Sequence, residues 1–187
     1  MRRGDECVAA AGGGVYSGAM PEAATATSGL WHYGGVGAAA MTAVAACLIL
    51  HYEVLKHMAR RGLRSHTDAI APKLARGYIL RAVMVLLITH AVQITLFGVA
   101  LFTLTRVMGP GVGSLRGEFD DQWPDYVYFS AAVFTTVGFG DIVPIGPLRF
   151  FVAIEALTGL VLITWSASLA FLLMERHWAG PRPPVKP

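Results

Sequence analysis

The residues with the clearest chemistry are Thr135, Thr136, Val137, Gly138, Phe139, Gly140 and Asp141, set between a short aromatic-rich segment and a long apolar run. Glycine takes positive φ at little cost. Gly138 and Gly140, alternating with Thr136, Val137 and Phe139, therefore let successive carbonyls turn toward one side of the strand. Such a row of oxygens has no partner inside the chain. At membrane depth, unpaired carbonyls are tolerated only where they line a path filled by water or ions. A cation stripped of its water would supply what they lack, and four copies around an axis would surround it with rings of oxygen.

The elements that must position this stretch read as membrane helices. The 187 residues are 55% hydrophobic and only 14% charged, against about 25% charged in soluble domains, so a polytopic membrane protein is expected. Cys7 and Cys47 give no disulfide framework. No metal-ligand spacing, no nucleophile beside a base and no phosphate-cradling loop is present, so the residues indicate neither an enzyme nor a cofactor, nor a nucleic-acid partner.

Residues 1–33 are rich in Ala, Gly, Ser and Thr without a hydrophobic period and read as a disordered tail. Residues 34–76 hold a first span, from Gly34 to about Tyr52, and a basic linker. With no ladder of arginines, that span is not a voltage sensor. From His51 to Arg81 the chain carries Lys56, Arg60, Arg61, Arg64, Lys73, Arg76 and Arg81 against Glu53 and Asp68, which places the linker in the cytoplasm by the positive-inside rule. Ser65 or Thr67 would cap a short helix with Pro72 in its first turns. Its Ile70, Leu74 and Ile79 would face the membrane surface and its basic side chains anionic lipid; a solvated linker is the plainer alternative.

Residues 77–175 hold the remaining elements. A second span, Ala82 to Leu104, carries His90 and Gln93 near its middle. His90 reads either as a proton sensor or as a neutral histidine bonded to a neighbouring helix. A loop from Arg106 to Pro124 ends in acidic residues, which either raise the local cation concentration or are simply solvated. Asp125 to Thr135 reads as a re-entrant half-helix, too short to span, with its partly negative carboxyl end toward the membrane centre. Ile142 to Pro147 reads as a tight connection, and the last span runs to about Met174. Residues 176–187 form a basic, Pro-rich cytoplasmic tail.

From Tyr126 to Met174, and more loosely in the preceding helix, the sequence resembles the pore domain of potassium channels. Thr135-Thr136-Val137-Gly138-Phe139-Gly140-Asp141 carries the resemblance, with Phe139 where most members have Tyr. The resemblance implies an all-α membrane fold of three transmembrane helices, a re-entrant pore helix and a filter loop, assembled as a homotetramer. It implies K+ bound by Thr136, Val137, Gly138 and Phe139, with Gly140 completing the filter. Tyr128 and Phe129 stand where the family carries an aromatic pair, so the Tyr128 hydroxyl is expected to bond Asp141 behind the filter. Ala132 stands where some relatives carry a glutamate, so that carboxylate pair with Asp141 cannot form. Gly159, ten residues after Arg149, has the spacing of the family's inner-helix hinge; close packing is the alternative use.

Glu155 lies one turn before Gly159 in an otherwise apolar span. A carboxyl group there must be protonated or find a partner. Ser130 or Thr135 of the pore helix is the nearest donor, which would make Glu155, with Thr135, part of the filter's support; gating and a lumen-facing position are the other readings. Thr158, Thr164, Ser166 and Ser168 either line the cavity or bond back within the helix. Three spans put the N-terminus outside and the C-terminus inside a plasma (inner) membrane.

Overall fold

A computed structural model describes residues 22–64 and 72–178. Four α-helices form it, α1 (Glu22–Arg64), α2 (Pro72–Met108), α3 (Trp123–Phe134) and α4 (Leu148–Trp178), with a 3-10 turn at Gly109–Val112 and strands β1 (Ser114–Gly117) and β2 (Ile142–Ile145). Stretches of α1, α2 and α4 (Trp31–Arg60, Gly77–Val112 and Leu148–Glu175) are long and apolar enough to cross a membrane. The fold is thus an all-α membrane fold, as expected, with α3 as the helix too short to cross.

α1 departs furthest from expectation. It begins at Glu22, so 22–33 are helical rather than disordered. Glu22, Ala23, Ala24 and Ala26 are good helix formers, and a search for bulky apolar periodicity passes over them. Tertiary contact holds this extension: a Cβ on Gly111 would run into the His32 ring, and Gly35 sits against Met108. At its other end α1 continues through Lys56 and Arg60 to Arg64. Charged heads on long stems reach out from a membrane helix without ending it, and Lys56 also pairs with Glu53 at 2.9 Å. His51 is therefore not in a linker but buried within α1. The expected short surface helix does not exist as a separate element either, since α2 runs without a break from Pro72. Ser65, Thr67 and Ile70, like the residues of the tails before 22 and beyond 178, lie outside the described residues.

The outer loop is not irregular. β1 and β2 pair antiparallel, Ser114 opposite Ile145 and Gly117 opposite Ile142. Pro144 is compatible with this because a two-stranded sheet consists only of edges. The expected tight connection after the filter is thus a strand. Arg106 in the last turn of α2 pairs with Asp121 at 2.9 Å, and the Tyr126 hydroxyl donates to the same carboxylate at 2.7 Å.

α3 is wedged against α2 and α4. Its first turn is closed by Asp125, whose Oδ2 accepts from the Gln122 and Asp120 amides at 3.1 and 3.0 Å, the reciprocal half of a capping box. Phe97, Phe134, Phe151 and Leu162 fill the space among the three helices. α2 comes tightly against α3 at Gly98, where a Cβ would stand 2.8 Å from the Val127 Cα. Gly98→Ala is expected to lower the stability of the detergent-solubilised protein by about 1–3 kcal/mol through overpacking. Gly77→Ala, in the same helix with no atom near its would-be Cβ, is expected to be neutral or stabilising by up to about 1 kcal/mol. Melting temperatures of the two variants check the contrast.

Candidate functional site

α3 ends in a left-handed cap. The Thr136 amide donates to the Val133 carbonyl at 2.9 Å, and Thr136 takes φ 60°. That position after a helix is ordinarily glycine, and a β-branched residue there is strained, at a cost of about 1–3 kcal/mol. Gly138 follows at φ 54° and Gly140 at φ 81°, while Val137 and Phe139 keep negative φ. The sign of φ therefore alternates over five residues. Sequence reasoning anticipated positive φ at the two glycines and missed it at Thr136, because residue type alone disfavours it there.

All five residues from Thr136 to Gly140 are exposed in the single chain, Val137 by 55% and Phe139 by 68%. Among the described residues no donor is bonded to the carbonyls of Thr136, Val137, Gly138 or Phe139. These four oxygens are therefore free of any donor in the single chain, in residues open to what lies outside it.

The loop is tied at both ends. The Gly138 amide donates to the Ala132 carbonyl at 3.0 Å, and the Thr135 hydroxyl returns to the Ala131 carbonyl at 2.7 Å within its own helix. At the far end, the Tyr128 hydroxyl donates to Asp141 Oδ2 at 2.7 Å. The Ile142 amide donates to Asp141 Oδ1 at 3.0 Å, and the Glu118 amide to the Asp141 carbonyl at 3.2 Å. The carboxylate it serves raises the Tyr128 phenol above the ordinary tyrosine range, because ionisation would destroy the bond. Phe139, which has no hydroxyl, lies parallel to the Tyr128 ring at 6.4 Å between centroids.

Behind α3, the Ser130 hydroxyl donates to Glu155 Oε1, and Glu155 is fully buried with its Oε2 unpartnered. Thr135 takes no part in this contact. Gly159 lies one turn on, and a Cβ there would overlap the Phe134 carbonyl. Its neighbour is thus the end of α3 and not the second span, and α4 passes through it as continuous helix. Thr158, Thr164 and Ser168 bond back to the carbonyls of Ile154, Leu160 and Thr164. Ser166 does not: its Oγ lies 3.0 Å from His90 Nε2 and 3.3 Å from His51 Nε2. No cluster of three or more His, Cys, Asp or Glu side chains suited to a metal ion occurs among the described residues.

A family model described as ion channel matches residues 87–176, from the middle of α2 to the end of α4. This stretch is similar to the ion-channel family. The match includes the whole strained loop, its supports, the second half of α2 and nearly all of α4, and it leaves α1 outside. Neither a curated protein nor a solved structure matches the chain.

The buried Ser130–Glu155 contact within this stretch sets a stability prediction. Ser130→Ala leaves both carboxyl oxygens without a donor and is expected to cost about 1–3 kcal/mol. Adding Glu155→Leu to it removes the stranded group, so the double variant is expected to recover most of that loss. Thermal unfolding of the single and double variants in detergent measures the recovery.

Proposed function

We propose that the protein is a potassium channel, a homotetramer that passes K+ passively down its electrochemical gradient. The carbonyls of Thr136, Val137, Gly138 and Phe139, with the Thr136 hydroxyl, replace the water around the ion, and Gly140 lets the chain leave the filter toward Asp141. One observation carries this reading: alternating φ, extended even to a strained threonine, leaves four consecutive carbonyls without donors, in a loop fixed at both ends. Strain of this kind persists only where the surroundings enforce it.

One such loop cannot enclose an ion, which calls for a cyclic assembly. α4 presents Phe150, Leu157, Leu160, Val161 and Phe171 exposed in the single chain, and a helix apolar on all sides is covered by lipid or by further helices. The filter then faces outward, the N-terminus lies outside, and the C-terminus lies in the cytoplasm of a plasma (inner) membrane. The chain is not an enzyme and needs no cofactor. Its basic residues near the end of α1 and the start of α2 meet anionic headgroups. The Tyr128–Asp141 bond and the Glu155–Ser130 contact hold the filter from behind.

A second reading is favoured by Phe139. Without a hydroxyl to anchor it, the loop widens more easily and becomes a weakly selective cation pore. Flux from purified protein in liposomes decides. A potassium gradient is expected to drive leak that Gly138→Ala abolishes, and the reversal potential in mixed potassium and sodium is expected to follow potassium. A reversal potential near zero supports the wider pore, and no leak at all a non-conducting subunit that keeps the fold.

A further inference from the structure

Three helices meet at a polar ring beneath the end of α3. His51 comes from α1, His90 and Gln93 from α2, and Ser166 from α4; His51 and Gln93 are fully buried and Ser166 nearly so. The fixed point is a main-chain group. Gln93 Nε2 donates to the Cys47 carbonyl at 3.1 Å, which settles which end of the amide is nitrogen. The same nitrogen lies 3.3 Å from His51 Nδ1, so that atom must be the acceptor and His51 carries its hydrogen on Nε2. Gln93 Oε1 lies 3.0 Å from His90 Nδ1, which must therefore be the donor, leaving His90 Nε2 bare. Ser166 Oγ completes the circuit, accepting from His51 Nε2 and donating to His90 Nε2. One backbone carbonyl thus dictates two opposite tautomers and the direction of a hydroxyl. With both imidazoles neutral, every donor has an acceptor.

We infer that this ring is a proton site and that taking up a proton releases α1 from α2 and α4. An extra proton has no place in the closed ring. On His51 Nδ1 it would face the Gln93 amide hydrogen, donor against donor. On His90 Nε2 it would set two imidazole donors against Ser166 Oγ and expel the hydroxyl hydrogen from the circuit. No acidic side chain is hydrogen-bonded into the ring. α1 adds the Cys47 thiol. α4 adds Trp165, whose ring is 5.5 Å from that of His51, and, three turns away along the helix, Glu155, whose Oε1 is taken by Ser130 and whose Oε2 has no hydrogen-bond partner. α3 adds Phe134, 5.9 Å from the His90 ring. The two imidazoles are 5.4 Å apart, so each would repel a charge on the other. An opened, wetted ring takes up protons as free imidazole does, near pH ~6.5. The open form binds protons and the closed form does not, so falling pH draws the equilibrium toward opening.

The test uses the full chain in lipid bilayers and needs no ion flux, so it stands or falls apart from the channel reading. In 15N spectra of histidine-labelled protein near pH 8, one buried imidazole is expected to carry hydrogen on Nδ1 and one on Nε2, with both becoming imidazolium together as the pH falls toward about 5. His51→Gln and His90→Asn, which keep the donor of each ring without its titration, assign the signals. The movement is read by crosslinking Leu55→Cys with Leu173→Cys, positions of one apolar cluster shared by α1 and α4, in a Cys7→Ser, Cys47→Ala background. Relative to the same pair carrying both histidine variants, the crosslinking rate is expected to fall about tenfold between those pH values, the equivalent of one buried hydrogen bond. Two imidazoles of the same tautomer, histidines that never charge, or a relative rate indifferent to pH would each overturn the inference. If the doubly substituted protein does not fold, the native spectra alone decide.

Discussion

Inside a bilayer no water is at hand to satisfy a polar group, and each feature of this chain answers to that constraint. Hydroxyls at Thr89, Thr95, Thr158 and Thr164 turn back onto their own helices. The Glu155 carboxyl takes Ser130 from across the helix interface. His51, His90, Gln93 and Ser166 satisfy one another in a closed circuit. Against this background the unbonded carbonyls from Thr136 to Phe139 stand apart. A chain that leaves only Glu155 Oε2 unpartnered among its described buried side-chain atoms leaves four main-chain oxygens open in succession, next to a threonine held in a conformation it disfavours.

The second theme is the close approach of backbone to backbone, through which the short helix α3 is fixed. It touches α2 where Gly98 meets Val127, and α4 where Gly159 meets the Phe134 carbonyl. Each contact excludes even a methyl group. In membranes, where apolar side chains gain little from leaving lipid, such small-residue contacts are what packing has to work with. The start of the strained loop is therefore set by main-chain contact on two sides, and its end by three hydrogen bonds to Asp141.

Much of the stretch from α3 to α4 was legible in the sequence because its signals are local. The Thr-Thr-Val-Gly-Phe-Gly-Asp run, the short aromatic helix before it and the apolar run after it each reveal their type within a few residues. Tyr128 bonds Asp141 as the resemblance implied, and Glu155 meets Ser130, one of the two donors weighed for it. What stayed hidden depends on partners distant in the chain. His51 looked like the start of a basic linker, since the charges after it outvoted the helix that carries them past it. Ser166 looked like its neighbouring hydroxyls, and only the two histidines facing it set it apart. The β1–β2 pair is four residues long on each side, below what alternation reveals, and Gly159 read equally as a hinge or as a packing contact, with nothing to point to Phe134.

The length of α1 has a mechanical corollary. At 43 residues and 1.5 Å per residue it is a rod of about 65 Å, while a bilayer with its headgroups is about 40–45 Å thick. A third of it must stand clear of the lipid. It is gripped near one end by the turn at Gly111, farther along by the histidine circuit, and beyond that at Leu55 and Met58, which pack against α2 and α4. A load on whatever stands clear of the lipid is therefore passed as leverage to those three grips.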